Sequence, residues 1–213
     1  LDNLALYYDT WNAKSYPGSG TTITNLMDTS NTGTITGGPA YTDQALIHAG
    51  NADYTDGSVP NFGTPSKVTV EMYCKPTSFV GFMFFGWNLY DVYCPSSNIG
   101  YNTGNSDCYG VTAARVSTIG VLNNWTHFAF VMDDTTYANN KIYINGVNES
   151  LSQILSSEAT IYTDFNSGVF RIGGWRYGAG YHINMDFAVL RIYTTELTAT
   201  EVEENYASIR SRY

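Results

Sequence analysis

The sequence predicts an all-β fold, two antiparallel sheets stacked as a sandwich and closed by a short C-terminal helix. Three observations carry this. Runs of β-branched and aromatic residues recur between Gly-, Asn- and Pro-rich punctuation. The run over residues 125–132 is apolar on both parities: Phe128, Phe130 and Met132 point one way, Trp125, Ala129 and Val131 the other. Such a strand has both faces covered and lies inside a layered structure. The end of the chain changes period: Thr198 and Glu201 form a capping box, and Val202, Tyr206 and Ile209 follow at helical spacing.

Residues 4–10 alternate and form the first predicted strand. A polar loop follows, punctuated by Pro17 and Gly18. Short strands are predicted over residues 32–36 and 45–49, and residues 53–65 are turn-rich. Residues 67–74 alternate cleanly, with Val68, Val70 and Met72 inward and Lys67, Thr69, Glu71 and Tyr73 outward, until Pro76 ends the strand. The apolar run 79–87 predicts a buried strand, and residues 88–94 its hairpin partner. Residues 95–107 read as a long polar loop holding Tyr101, and residues 108–116 as a strand. After the central strand, residues 141–144 alternate, and Asn145-Gly146 is the dipeptide of a tight hairpin turn. Residues 151–166 form a connection with no clear period. Strands over 169–173 and 183–193 close the sheets. The helix is expected on the sandwich edge, with Arg210 and Arg212 suiting the negative end of its dipole. Trp125 is expected in the core, and His127 as a satisfied structural residue.

The chain has 213 residues, enough for one sandwich domain spanning 1–213. With 43% hydrophobic and only 14% charged residues it is not a disordered sequence. The net charge of −9 argues against a nucleic-acid partner, whose phosphates would be repelled. No run of about 18 apolar residues exists, so no membrane-spanning helix is predicted. The sequence opens at Leu1 without a leader pattern, as a processed chain or a piece of a longer one would. Cys74, Cys94 and Cys108 show no Cys-x-x-Cys spacing, which disfavours zinc. They are expected as reduced thiols, with a Cys94–Cys108 bridge as the alternative.

A family resemblance rests on several of these stretches. Trp125, His127, Ala129 and Val131, followed by Ile142-Tyr143-Ile144-Asn145-Gly146, resemble the central hairpin of laminin-G-like jelly rolls in the concanavalin A-like lectin/glucanase superfamily. Phe170-Arg171-Ile172-Gly173-Gly174 resembles a later strand of that family, and residues 187–202 its last strand and closing helix. Residues 4–9 with 15–22 are similar to the start of such domains in virion proteins of tailed phages. The resemblance implies a jelly-roll sandwich serving as a virion structural or surface attachment protein, a capsid decoration or a tail or fibre component. It also implies partners among other virion subunits or further copies of the chain, and a place on the virion surface. A secreted, extracellular lectin or adhesion domain is the alternative, and a glucanase a further one.

Enzymes of that superfamily carry Glu-x-Asp-x-x-Glu on one strand, and retaining hydrolysis needs carboxyls about 5–5.5 Å apart. Here Tyr73 stands where the acid after Glu71 would be. Asp186 is followed by Phe187, Ala188 and Val189, and Asp133 and Asp134 are adjacent and diverge if extended. The chain is expected to be non-catalytic. Many relatives hold calcium, which wants six to eight oxygens. Asp9 and Asp186 are the candidate metal ligands, with Asp53 and Asp56 behind them, although Ala188 and Val189 stand where some relatives have a carboxylate. Aromatics are the stronger signal, because sugar rings stack on Trp and Tyr faces while hydroxyls bond polar side chains. Two groups are candidate carbohydrate-binding residues: Trp87, Tyr90, Tyr93 and Tyr101, and, in the glycine-rich stretch 174–181, Trp175, Tyr177 and Tyr181. For Trp87 and Trp175 a place in the core or at a subunit contact is the competing expectation.

Overall fold

The computed structural model describes residues 3–50, 52–78, 81–87, 90–103, 107–156, 168–178 and 180–213. Among them are two antiparallel sheets, with strands numbered along the chain. One runs β14 (Val147–Asn148), β13 (Lys141–Ile144), β12 (Thr126–Asp133), β7 (Lys67–Pro76), β17 (Asn184–Tyr193), β5 (Ala45–Ala49) and β4 (Ala40–Thr42). β1 (Leu4–Asp9) lies beside the second half of β17 and makes this sheet eight-stranded. The other, nine-stranded, runs β15 (Ser152–Leu155), β11 (Cys108–Val111), β10 (Ile99–Asn102), β9 (Asp91–Cys94), β8 (Phe82–Gly86), β16 (Val169–Ile172), β6 (Tyr54–Ser58), β3 (Thr32–Thr36) and β2 (Thr22–Thr24). This is the expected sandwich.

Strand parity builds the core. Phe128, Phe130 and Met132 of β12 are in register with Met72, Val70 and Val68 of β7, and all six enter the space between the sheets. Phe84 meets them from the opposite sheet, its ring 5.1 Å from that of Phe128. The other face of the same strands is buried too. Ala129 and Val131 pack with Tyr193, Leu197 and Val202, Val202 belonging to helix α2 (Ala199–Ile209). The capping box is formed: Thr198 Oγ1 accepts from the Glu201 amide at 3.3 Å, and Glu201 Oε2 accepts from the Thr198 amide at 2.7 Å. The helix therefore covers the outer face of the eight-stranded sheet and not the edge that the sequence predicted. The apolar double parity of β12 is the reason, since an uncovered Val131 face would remain in water.

Burial under α2 includes charge. Glu71 accepts from Asn205 Nδ2 at 3.1 Å on each oxygen and lies 3.3 Å from His127 Nε2 and 3.7 Å from Arg191 Nη1. A carboxylate that far from water needs such neighbours. His127 is buried as expected and packed against Glu71 and Tyr206, but neither ring nitrogen has a hydrogen-bond partner among the described residues. Arg212 holds both oxygens of Asp9 at 3.0 and 2.8 Å, a two-point pair that pins the C-terminus to β1.

The Asn145-Gly146 turn has positive φ at both residues, 51° and 81°, as a tight hairpin requires. Several expectations need correction. Tyr101 lies in β10, not in a loop; Gly100 and Asn102 disguised a strand that neighbours on both sides stabilise. The strand expected over 108–116 stops at Val111 and gives way to a helix, α1 (Ala113–Ile119), with Thr112 as N-cap and Gly120 as left-handed C-cap. Trp125 sits half-buried outside the inter-sheet core, 4.3 Å from the Tyr213 ring and stacked on Tyr73. β6 arises inside a stretch read as turns. Phe79, Val80, Asn88, Leu89, residues 104–106 and 157–166, and Ala179 belong to predicted segments that lie outside the described residues.

Removing one of these rings tests the packing. Phe128→Ala should lower stability by about 3–5 kcal/mol, and Thr198→Ala at the cap by about 1 kcal/mol. Urea titration followed by fluorescence reads both.

Candidate binding face

Both faces of the central strands of the eight-stranded sheet are covered, and the outer face of the nine-stranded sheet is an open surface with chemistry on it. Phe170, Ile172, Val92 and Cys94 point to the core. Alternation sends Arg171 of β16, Tyr54 and Asp56 of β6, and Asp91 and Tyr93 of β9 to the outside. Residues 173–178 and 180–183 fold back over this face. Met83 of β8 donates its amide to the Tyr181 carbonyl at 2.9 Å, and a parallel bridge joins Met83 to His182. Gly86 permits the approach, because a Cβ there would lie 2.8 Å from Asp91 Oδ1 and 3.0 Å from the Gly174 carbonyl.

Arg171 holds the loop. Its Nε and Nη2 donate to the two Asp56 oxygens at 2.7 and 3.0 Å, and its Nη1 donates to the carbonyls of Trp175 at 2.9 Å and Gly178 at 3.3 Å. The guanidinium also lies 3.6 Å over the Tyr54 ring. On the same ring stacks His182, 5.6 Å away. His182 Nε2 accepts from the Gly180 amide at 3.2 Å, which assigns the remaining proton to Nδ1, 3.3 Å from the Gly173 carbonyl. The loop is thus tied at both ends by buried polar side chains.

This brings Tyr93, Trp175 and Tyr181 together. Tyr181 makes edge contacts with Tyr93 at 5.9 Å and with Trp175 at 6.2 Å. Tyr181 is 44% exposed, and Tyr177, on the same loop, 59%. Both are large rings offered to solvent, and Arg176 lies between Trp175 and Tyr177. Trp87, Tyr90 and Tyr101 are elsewhere, fully buried between the sheets, and have no surface for a sugar. Tyr90 donates to Asn140 Oδ1 at 2.7 Å, and Tyr101 to the Lys141 carbonyl at 2.7 Å. Trp87 packs against Phe62 and Phe85. Strand parity separates them from Tyr93: Tyr90 and Val92 turn inward, Asp91 and Tyr93 outward.

Sequence reasoning did not single out Tyr54, Arg171, Arg176 or His182 for this face. The available signal was Arg171, a charge inside the apolar strand Val169–Ile172, which needs an outward partner.

Two acids also occupy this face. Asp91 is only 2% exposed, and burial, then the charge of Asp107, holds its carboxyl well above the usual carboxylate range. Asp107 is buried as well and accepts from the Thr103 amide and hydroxyl, each at 2.9 Å. Both are closed off from solvent. Glu71 is under α2. The candidate metal ligands are all engaged within the chain: Asp9 by Arg212, Asp186 by Lys75, Asp56 by Arg171, and Asp53 by the Ala49 amide. Among the described residues no cluster of three His, Cys, Asp or Glu is placed to hold a metal. The three thiols are free and buried. Cys94 faces the core while Cys108 packs over Gly100 on the outer side. A separate groove of about 380 Å³ lies across the molecule, between the Asn145-Gly146 turn and α2, lined by Glu203, Tyr206 and Arg210.

The profile of the Concanavalin A-like lectin/glucanases superfamily matches residues 48–203. No curated protein is similar to the chain in sequence. Among solved structures, Trypanosoma rangeli sialidase in complex with sialic acid superposes with TM-score 0.70 at 12% identity, over 100% of this chain and 34% of the sialidase. The receptor-binding domain of botulinum neurotoxin C/D mosaic serotype gives 0.64 at 12%, over 98% of this chain and 52% of that domain. The binding domain of Paraclostridial Mosquitocidal Protein 1 gives 0.65 at 13%, over 97% and 52%. The chain therefore spans about half the length of the toxin domains and a third of the sialidase. At these identities the likeness is one of fold.

His48 lies beneath the start of the loop, stacked on Phe187. Neither ring nitrogen has a hydrogen-bond partner among the described residues. Burial pushes its pKa down to about 4, opposed by the nearby Asp53 charge and assisted by His182. An unfolded histidine takes its proton near ~6.5. The neutral ring's contribution is therefore intact above that pH and lost as pH falls toward the folded value, by up to about 3 kcal/mol. His48→Phe, which keeps the stack, should show a smaller fall in melting temperature than the parent between pH 7 and pH 4. Equal falls would contradict this.

Proposed function

The chain belongs to the Concanavalin A-like lectin/glucanases superfamily, and from that premise we propose that it is a non-catalytic attachment module that binds carbohydrate on the outer face of its nine-stranded sheet. The observation that carries this reading is the clamped loop presenting Trp175, Tyr177 and Tyr181 beside Tyr93. Rings held by a buried arginine lose little conformational freedom on meeting a sugar, so their apolar faces are available at low entropic cost. The non-catalytic part is supported by the seclusion of Asp91 and Asp107 and by the cover over Glu71.

The same reading places the module on a virion surface, in a capsid, tail or fibre, with other virion subunits or copies of itself as partners. That part rests on the N-terminal resemblance of residues 4–9 and 15–22. Mass spectrometry of particles purified from cells that carry the gene should recover the protein, and its absence would overturn the virion placement while leaving the attachment reading standing.

The binding reading is tested on a glycan array. The parent should bind a defined set of glycans, and Trp175→Ala with Tyr181→Ala should weaken binding roughly tenfold or more with the melting temperature held within about 2 °C. Binding undiminished by the pair, or no binding by the parent at high concentration, contradicts it.

A further inference from the structure

Seven of the ten Lys and Arg side chains are already paired with carboxylates: Lys67, Lys75, Lys141, Arg115, Arg171, Arg191 and Arg212. Arg176 is not among them. Among the described residues it has no carboxylate within ion-pair distance, and its Nε is buried without a hydrogen-bond partner. An unmet guanidinium donor is costly, and the side chain is only half-buried, so the rest of the guanidinium is open to an acceptor from outside the chain. Its place is equally specific. Arg176 sits between Trp175 and Tyr177 on the loop that Arg171 holds, and its own amide lies over Gly86 of β8. The neighbouring acid, Asp56, is taken up by Arg171 at both oxygens.

We propose that Arg176 recognises the carboxylate of an acidic sugar whose ring rests on the adjoining aromatic side chains. Guanidinium and carboxylate match as two parallel charge-assisted hydrogen bonds, which lysine cannot reproduce. The net charge of −9 narrows the ligand further. A sulfated or otherwise polyanionic chain would run over an acidic surface and be repelled. A single carboxylate at a glycan terminus meets one cation at contact, while charges beyond the Debye length of about 8 Å are screened. The ligand class is therefore a monocarboxylate sugar, of the sialic or uronic acid type, at a chain end.

This inference rests on the carbohydrate-binding reading and is tested so that the two can fail separately. Binding of N-acetylneuraminic acid and of glucuronic acid, each as its methyl glycoside, is compared with that of the corresponding methyl esters at about 0.15 M salt. At least one acid should bind roughly tenfold or more tightly than its ester. Arg176→Gln should abolish that preference and leave binding of the ester unchanged, and Arg176→Lys should restore only part of it. Melting temperatures report whether each variant is folded, and a misfolded glutamine variant would leave the acid-to-ester ratio of the parent as the deciding reading. Equal binding of acid and ester, or a preference that survives Arg176→Gln, overturns the role of Arg176 and leaves neutral-sugar binding intact. Absence of binding to these sugars and to every glycan on the array overturns both.

Discussion

Burial of both faces of β7, β12 and β17 is the constraint on which the rest of the structure depends. Their inner residues form the inter-sheet core, and their outer residues pack under α2 and the C-terminus. Each of these strands is flanked by others, so neither their edges nor their faces are open to a ligand. The consequence is a division of labour. The eight-stranded sheet is structural through its whole thickness, with Glu71, Arg191 and Asp9 neutralised inside or against it. The recognition proposed here falls on the outside of the nine-stranded sheet.

On that side the same physics is applied to a loop. An irregular segment over a sheet face carries backbone carbonyls that need donors. Arg171 supplies two of them, is itself neutralised by Asp56, and rests on Tyr54. His182 and the Met83 amide secure the return of the chain. Holding the backbone through buried side chains leaves Tyr177 and Tyr181 largely exposed, with the half-buried Arg176 beside Tyr177. A surface made this way is held in place by what lies beneath it.

The double parity of residues 125–132, the Asn145-Gly146 turn and the Thr198 capping box made the sandwich and its closing helix legible, since each is a local pattern with one structural solution. The site was legible in part. Trp175, Tyr177 and Tyr181 stood in a glycine-rich stretch, and the structure keeps them on the loop. Tyr90 and Tyr101 could not be separated from Tyr93 by composition: one residue of register decides which ring enters the core, and β10 contains a glycine and an asparagine that hide it. Arg171 and Asp56 are 115 positions apart in sequence, and only the β6–β16 pairing makes them neighbours. Helix α1 was missed because seven residues are too few to establish a period against a preceding strand.

The account stands most directly on where a ligand touches. Backbone amide shifts of isotopically labelled protein, titrated with the glycan best bound on the array, locate that contact. The account predicts changes confined to residues 174–182, Tyr93 and the outward positions of β6 and β16. Changes centred on the groove of Asn145, Glu203, Tyr206 and Arg210 would contradict it, because they would put recognition on the α2 side of the molecule.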